Sequence, residues 1–121
     1  MVIDDDSDIA MLVKITLQRS GFMNVIAFTK PSLALENFRI NYRDYGLVIS
    51  DIRMPEMNGF EFARSVSRIK PKIEVLLMTA FDIPDDTLVN MNMKYNNVGG
   101  IIQKPVSPAK LARMAMAQMS K

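Results

Sequence analysis

Four apolar runs in the chain stop abruptly on polar residues. VIDDD ends on Asp4, Asp5 and Asp6, VISD on Asp51, VLLMT on Thr79 and IIQK on Lys104. Carboxylates gathered in one place repel each other, and unless something neutralises them the cost appears as raised pKa values and lost stability. A divalent cation removes that repulsion. Oxygen ligands without nitrogen or sulfur suit Mg²⁺, which keeps several waters and takes one or two carboxylates together with a phosphate oxygen. With such a cation, an ammonium from Lys104 and a hydroxyl from Thr79 would be complementary to a phosphoryl group carried on Asp51. Singly these residues have plainer uses: an acidic triplet suits the positive end of a helix, and a lysine before a proline is unremarkable. Their weight comes from joint placement at successive strand ends.

That placement depends on the elements between them. The chain alternates short apolar runs with longer amphipathic ones, the pattern of a parallel sheet with crossover helices. Strands are expected at 1–3, 24–29, 47–50, 74–79 and 99–103. Ile9, Leu12, Val13, Ile15, Thr16 and Leu17 make a helical stripe, with Ser7 or Asp8 as N-cap and Gly21 as the stop. A second helix is expected from Pro31 to about Tyr42, followed by a polar turn, NYRDYG. A third carries Phe60, Phe62, Ala63, Val66 and Ile69 and ends before Pro71. A fourth runs from Pro84 to about Tyr95 behind an acidic start, and a fifth follows Ser107 as N-cap and Pro108 in the first position. Five strands and five helices make an α/β fold, and in an open parallel sheet ligands bind outside the carboxyl ends of the strands. The first strand, with three residues before the acidic run, is short against a usual length of about five or six.

Composition narrows the chemistry further. With 121 residues the chain fits one domain, 1–121, and 49% hydrophobic with 23% charged residues is ordinary for a globular protein. There is no cysteine and no histidine, which excludes disulfides, thiolate metal sites and a catalytic histidine. The net charge of +2 comes from 15 basic and 13 acidic residues without a basic stripe, so no nucleic-acid partner is expected within this segment. Apolar runs are far shorter than the roughly 20 residues that cross a bilayer, and no signal-peptide pattern stands at the start. No membrane association and a cytoplasmic location are therefore expected. Eleven methionines point mainly to adaptable core packing.

VIDDDSDI, VISDIRMPEMNGFEF, VLLMTAF and IIQKPV, in that order, resemble the receiver (CheY-like) domains of two-component response regulators. The second stretch, with Asp51, Met54, Pro55, Met57 and Gly59, is the most specific. The resemblance implies a flavodoxin-like, doubly wound, five-stranded sheet of order 2-1-3-4-5. It also implies that Asp51 accepts a phosphoryl group from a phosphohistidine on a sensor histidine kinase or phosphotransfer protein, a donor that lies outside this chain. Asp4 and Asp5 match the acidic pair that binds Mg²⁺, Asp5 more directly, with Asp51 and the backbone carbonyl of Arg53 completing the set. Asp6 is expected to stand aside. Thr79 and Lys104 would meet phosphoryl oxygens, and the Lys104 to Pro105 bond is expected to be cis.

Three features depart from the family. Ile101 stands where an aromatic switch residue is usual, and the stretch containing NMNMKYNNVGG is longer than usual. Arg53 and Phe81, each two residues beyond a site residue, are bulky groups beside the path of the hydrolytic water and are expected to slow loss of phosphate. The output partner is unknown from the sequence. The surface made by the last two helices and the strand between them, with Met91, Met93 and Lys110, is expected to carry it, and phosphorylation-dependent homodimers are a further expectation. An alternative is a receiver fold that takes no phosphate and acts as a protein-interaction module. A haloacid-dehalogenase-type phosphatase fits poorly, because Arg53 stands where its second aspartate would be.

Overall fold

The computed structural model describes residues 1–80 and 97–120. Its five strands are β1 (Val2–Ile3), β2 (Ala27–Phe28), β3 (Leu47–Asp51), β4 (Glu74–Thr79) and β5 (Val98–Gln103), all parallel in the order β2-β1-β3-β4-β5. The described helices are α1 (Ser7–Arg19), α2 (Pro31–Asn41), α3 (Gly59–Ile69) and α4 (Pro108–Met119), with a 3₁₀ turn at Tyr42–Asp44. The flavodoxin-like order expected from the sequence is therefore present. The helix expected at 84–95 lies outside the described residues, as do Phe81, Met91, Met93 and Tyr95.

Both faces of the sheet are covered, which is why the strands read as continuous apolar runs rather than alternating ones. On one face Ile3, Val48 and Leu77 pack against Phe38 of α2 and Phe62 and Val66 of α3. On the other Val2, Ile49, Leu76 and Ile102 pack against Val13 and Leu17 of α1 and Leu111 and Ala115 of α4. Every residue of β3 is buried, so Asp51 ends a strand wrapped on both sides.

Local signals explain the boundaries. α1 is capped by Asp6, whose carboxylate accepts from the backbone N–H groups of Asp8 and Ile9, and not by Ser7 or Asp8 as the sequence suggested. An aspartate one position earlier satisfies two orphan donors at once. The helix ends where Gly21 adopts φ +97, with Gly21 N–H on Gln18 O and Phe22 N–H on Leu17 O, the pair of bonds of a Schellman end. α2 ends at Asn41 because the polar turn tightens into 3₁₀ geometry. β2 is shorter than expected because Asn24 is still turning at φ +59. β1 is short too, yet bonds from Val2 N–H to Ile26 O and from Ile49 N–H to Met1 O continue its pairing beyond the two strand residues. Ser107 caps α4 with Pro108 behind it, as the sequence indicates.

Candidate functional site

The carboxyl ends of β1, β3, β4 and β5 deliver Asp4, Asp51, Thr79 and the Lys104 that follows Gln103 to one edge. Asp4 is fully buried and Asp51 is 6% exposed, whereas Asp5 faces solvent. The three aspartates each offer a carboxylate oxygen, and these oxygens all lie within 4.8 Å of one another. Lys104 Nζ sits 2.8 Å from Asp4 Oδ2 and 3.2 Å from Asp51 Oδ2, so one ammonium serves two carboxylates.

Backbone geometry sorts the acidic run into separate jobs. Asp6 N–H donates to Asp4 Oδ1, and Asp6 in turn caps α1. Asp6 is thus taken up by the helix. Asp5, between them, is left facing out with its carboxylate beside Asp51.

Asp51 is fixed from several directions. Ile52 N–H donates to Met78 O, and Lys104 N–H donates to Thr79 O at 2.7 Å, which ties the ends of β3, β4 and β5 together. The Lys104–Pro105 peptide is cis, as the resemblance implied. The turn after Asp51 closes with Gly59 N–H on Ile52 O. A Cβ on Gly59 would come within 2.5 Å of Asp51 O and 3.0 Å of Ile52 Cα, so only glycine lets α3 start this close to the site. Asn58 and Glu61 then form a reciprocal capping box that pins the first turn of α3. The spacing of Asn58 and Glu61 is a readable signal that the sequence reading passed over. Ser50, equally unremarked in the sequence, donates to Asp51 O and approaches Met54 Sδ at 3.8 Å.

The electrostatics are unbalanced. Burial raises the pKa of Asp51, and repulsion from Asp4 raises it further, while Lys104 offsets part of the effect. Burial alone would lower Lys104, but contact with Asp4 and its charge, then Asp51, outweigh this and its pKa is raised. Asp4 Oδ2, although near the ammonium, makes no well-formed hydrogen bond. Three carboxylates beside one ammonium, two of them buried, form a set of hard oxygen donors that fits a small divalent cation.

Thr79 and Arg53 reach the same edge through β4 and the β3 to α3 turn; Thr79 is buried and Arg53 exposed. Ile101 is partly buried and packs against the α2/α3 side of the core, so an aliphatic side chain occupies the position where an aromatic one is usual. Cavities of about 360 and 520 Å³ open at the opposite edge, around Phe22 and Met119 and beside Ile26 and Asn41. Neither touches Asp4, Asp51 or Lys104, whose charges converge at the carboxyl edge instead.

A doubly wound sheet with an acidic cluster and a lysine at the ends of its strands is the arrangement that the resemblance to receiver domains implied. Residues 1–116 match the response regulator receiver domain family, and the chain belongs to it. It is 32% identical over 115 residues to the C4-dicarboxylate transport transcriptional regulatory protein DctD of Rhizobium meliloti, covering 94% of this chain and 24% of that protein. It is 31% identical over 81 residues to the response regulator receiver protein CpdR of Brucella abortus, covering 67% of this chain and 65% of that one. Among solved structures, a response regulator receiver domain protein from Clostridium thermocellum superposes with a TM-score of 0.86 at 25% identity, covering 98% of this chain and 91% of that one. The chain thus spans about a quarter of DctD and 19% of the two-component response regulator ARR21 of Arabidopsis thaliana, another relative it matches. Among the described residues no helix is long and apolar enough to cross a membrane.

Proposed function

We propose that residues 1–121 form a phosphoacceptor receiver domain in which Asp51 takes a phosphoryl group from a phosphohistidine on a sensor histidine kinase or phosphotransfer protein. The observation that carries this reading is the bridging of Asp4 and Asp51 by Lys104 at 2.8 and 3.2 Å, with Asp5 beside them. Asp5, Asp51 and the Arg53 carbonyl would hold Mg²⁺, with Asp4 behind them. When bound, the cation supplies positive charge against the phosphoryl oxygens and relieves the carboxylate repulsion.

In the transfer a carboxylate oxygen of Asp51 attacks phosphorus in line with the donor nitrogen. The O–P bond forms as the N–P bond breaks, and the imidazole leaves with its electron pair. Lys104, already placed between Asp4 and Asp51, would exchange its contact with Asp51 for a phosphoryl oxygen once negative charge arrives there, and the Thr79 hydroxyl would donate to another. Switching then passes to the surface formed by β5 and α4, including Lys110, where an output partner or a second copy would bind. Arg53, exposed beside the site, and Phe81 would lengthen the life of the acyl phosphate by obstructing water. The setting that suits a kinase partner is the cytoplasm.

The test is incubation with Mg²⁺ and a small phosphodonor such as acetyl phosphate, or with beryllofluoride, on native protein and Asp51→Asn. With acetyl phosphate the native chain should gain one phosphoryl group by mass and the variant none, and beryllofluoride should bind the native chain alone. Equal signals from the two would remove Asp51 as the acceptor and leave an interaction module without phosphate chemistry.

A further inference from the structure

The turn that carries the Arg53 carbonyl contains a strained residue that the site chemistry does not use. Glu56 has φ +74, in the left-handed region that glycine tolerates and glutamate does not favour. Met57 N–H donates to Pro55 O at 2.8 Å across it, which makes Glu56 the centre of a γ-turn of the strained hand. Its side chain does not simply project into solvent. Ser32 Oγ lies 3.2 Å from each of its carboxylate oxygens, 24 positions away in sequence.

Ser32 lies in the first turn of α2, a helix end that begins with Pro31 but has no capping side chain of its own. Its N-cap, Lys30, makes no side-chain capping bond, and no acidic residue stands in the first turn. A carboxylate is favoured there by the partial positive charge of the helix end. Glu56 supplies one from another element. Glycine would relieve the backbone at this position but could not make the contact.

Resting on the phosphoacceptor reading above, we infer that Ser32 and Glu56 form a strut between α2 and the β3 to α3 turn, in which Glu56 is a positioning residue that keeps the Arg53 carbonyl aimed at the cation. Strain at Glu56 is held by the Ser32 contact on one side and by the Gly59 to Ile52 bond on the other. Groups behind a metal ligand orient it, and their loss weakens metal binding without removing a ligand.

The experiment is a Mg²⁺ titration by calorimetry on the native chain, Ser32→Ala, Glu56→Ala, the double variant and Glu56→Gly, with amide exchange of Met57 followed in metal-free protein. Ser32→Ala and Glu56→Ala should each weaken Mg²⁺ binding by about threefold, below the roughly tenfold at which buried supporting groups start, because this contact is exposed. The double variant should be no worse than either single one, since both remove the same contact. Met57 exchange should quicken in Ser32→Ala even without metal. Glu56→Gly should unfold at the same or a higher temperature while binding Mg²⁺ more weakly, a crossing that a merely structural role would not produce. Native-like Mg²⁺ affinity in Ser32→Ala, or losses that add in the double variant, would overturn the strut. A native chain that takes up no Mg²⁺ would instead overturn the reading of the site, and the strut's role with it.

Discussion

The two edges of the sheet handle buried polar groups in opposite ways. At the amino edge, Lys70 Nζ donates to Tyr45 O at 2.6 Å and Tyr42 O at 3.3 Å, Tyr45 donates its hydroxyl to Asn37, and its ring stacks on Phe38. Each strong donor there has acceptors that carry no full charge. At the carboxyl edge a single ammonium faces two buried carboxylates, which repel each other across it. The first arrangement closes a fold. The second leaves carboxylate repulsion only partly offset, and on the function proposed above that imbalance is what an incoming cation and phosphoryl group would use.

The strongest way to break this contrast is to remove the acceptor itself. Asp51→Asn should abolish phosphoryl uptake altogether, as read by mass after incubation with Mg²⁺ and acetyl phosphate. The same change should raise stability in metal-free buffer at neutral pH. The sign follows from the raised pKa of Asp51: the folded chain prefers the protonated form, so ionisation costs stability as pH rises above the ordinary value of 3.8 and through the folded pKa. An amide carries no such cost. A destabilised Asp51→Asn in metal-free buffer would mean that the Lys104 pair outweighs the repulsion.

Lys104→Met should have the next largest effect. It leaves Asp4, which is fully buried, without a cation, and breaking a buried pair from one side typically costs about 3–5 kcal/mol. Urea unfolding in chelator should show this loss, and saturating Mg²⁺ should return part of it, because the cation replaces the missing charge. Recovery by Mg²⁺ separates a charge-balancing lysine from one that only packs. Titration offers a gentler version. The raised pKa of Lys104 means that its contribution is present below its ordinary value of 10.5 and is lost as pH rises through the folded value. Alkaline destabilisation in that range should shrink in Lys104→Met.

Gly59→Ala comes third and tests packing rather than charge. The new methyl group would stand 2.5 Å from Asp51 O, so the turn or the start of α3 must move, at a cost of about 1–3 kcal/mol. Because the displaced atoms belong to the acceptor residue, Mg²⁺ affinity should fall alongside the unfolding midpoint. A stability loss with unchanged Mg²⁺ binding would show that the turn yields away from the site.

How much of this edge could be read beforehand depended on whether a residue's role is set by its own strand. Asp51, Thr79 and Lys104 end apolar runs, and period and burial alone put them at one edge. Sheet order, by contrast, came from resemblance, since nothing local dictates that β1 lies between β2 and β3. The division of labour within Asp4, Asp5 and Asp6 was only half legible. Three identical side chains differ by where the chain begins to wind, and the winding starts one residue earlier than a Ser7 cap would set it and two earlier than an Asp8 cap. Glu56 was invisible for a different reason: its partner Ser32 lies on another helix, and no spacing in the sequence joins them.

The smallest expected effect belongs to the amino edge and serves as the control for all the others. Tyr45→Phe removes the hydroxyl that donates to Asn37 while keeping the ring against Phe38, so the expected loss is about 1 kcal/mol, the usual net worth of one hydrogen bond. Burial, with help from Asp44, already raises the pKa of Tyr45, so the hydroxyl stays protonated at neutral pH and no charge is involved. Mg²⁺ affinity and phosphoryl uptake should therefore match the native chain. If they do not, the edges are coupled through β3, whose Leu47–Asp51 span joins the Tyr45 end to the acceptor. A double variant with Gly59→Ala decides the matter: independent edges give losses that add, whereas a shared response through β3 gives losses that do not.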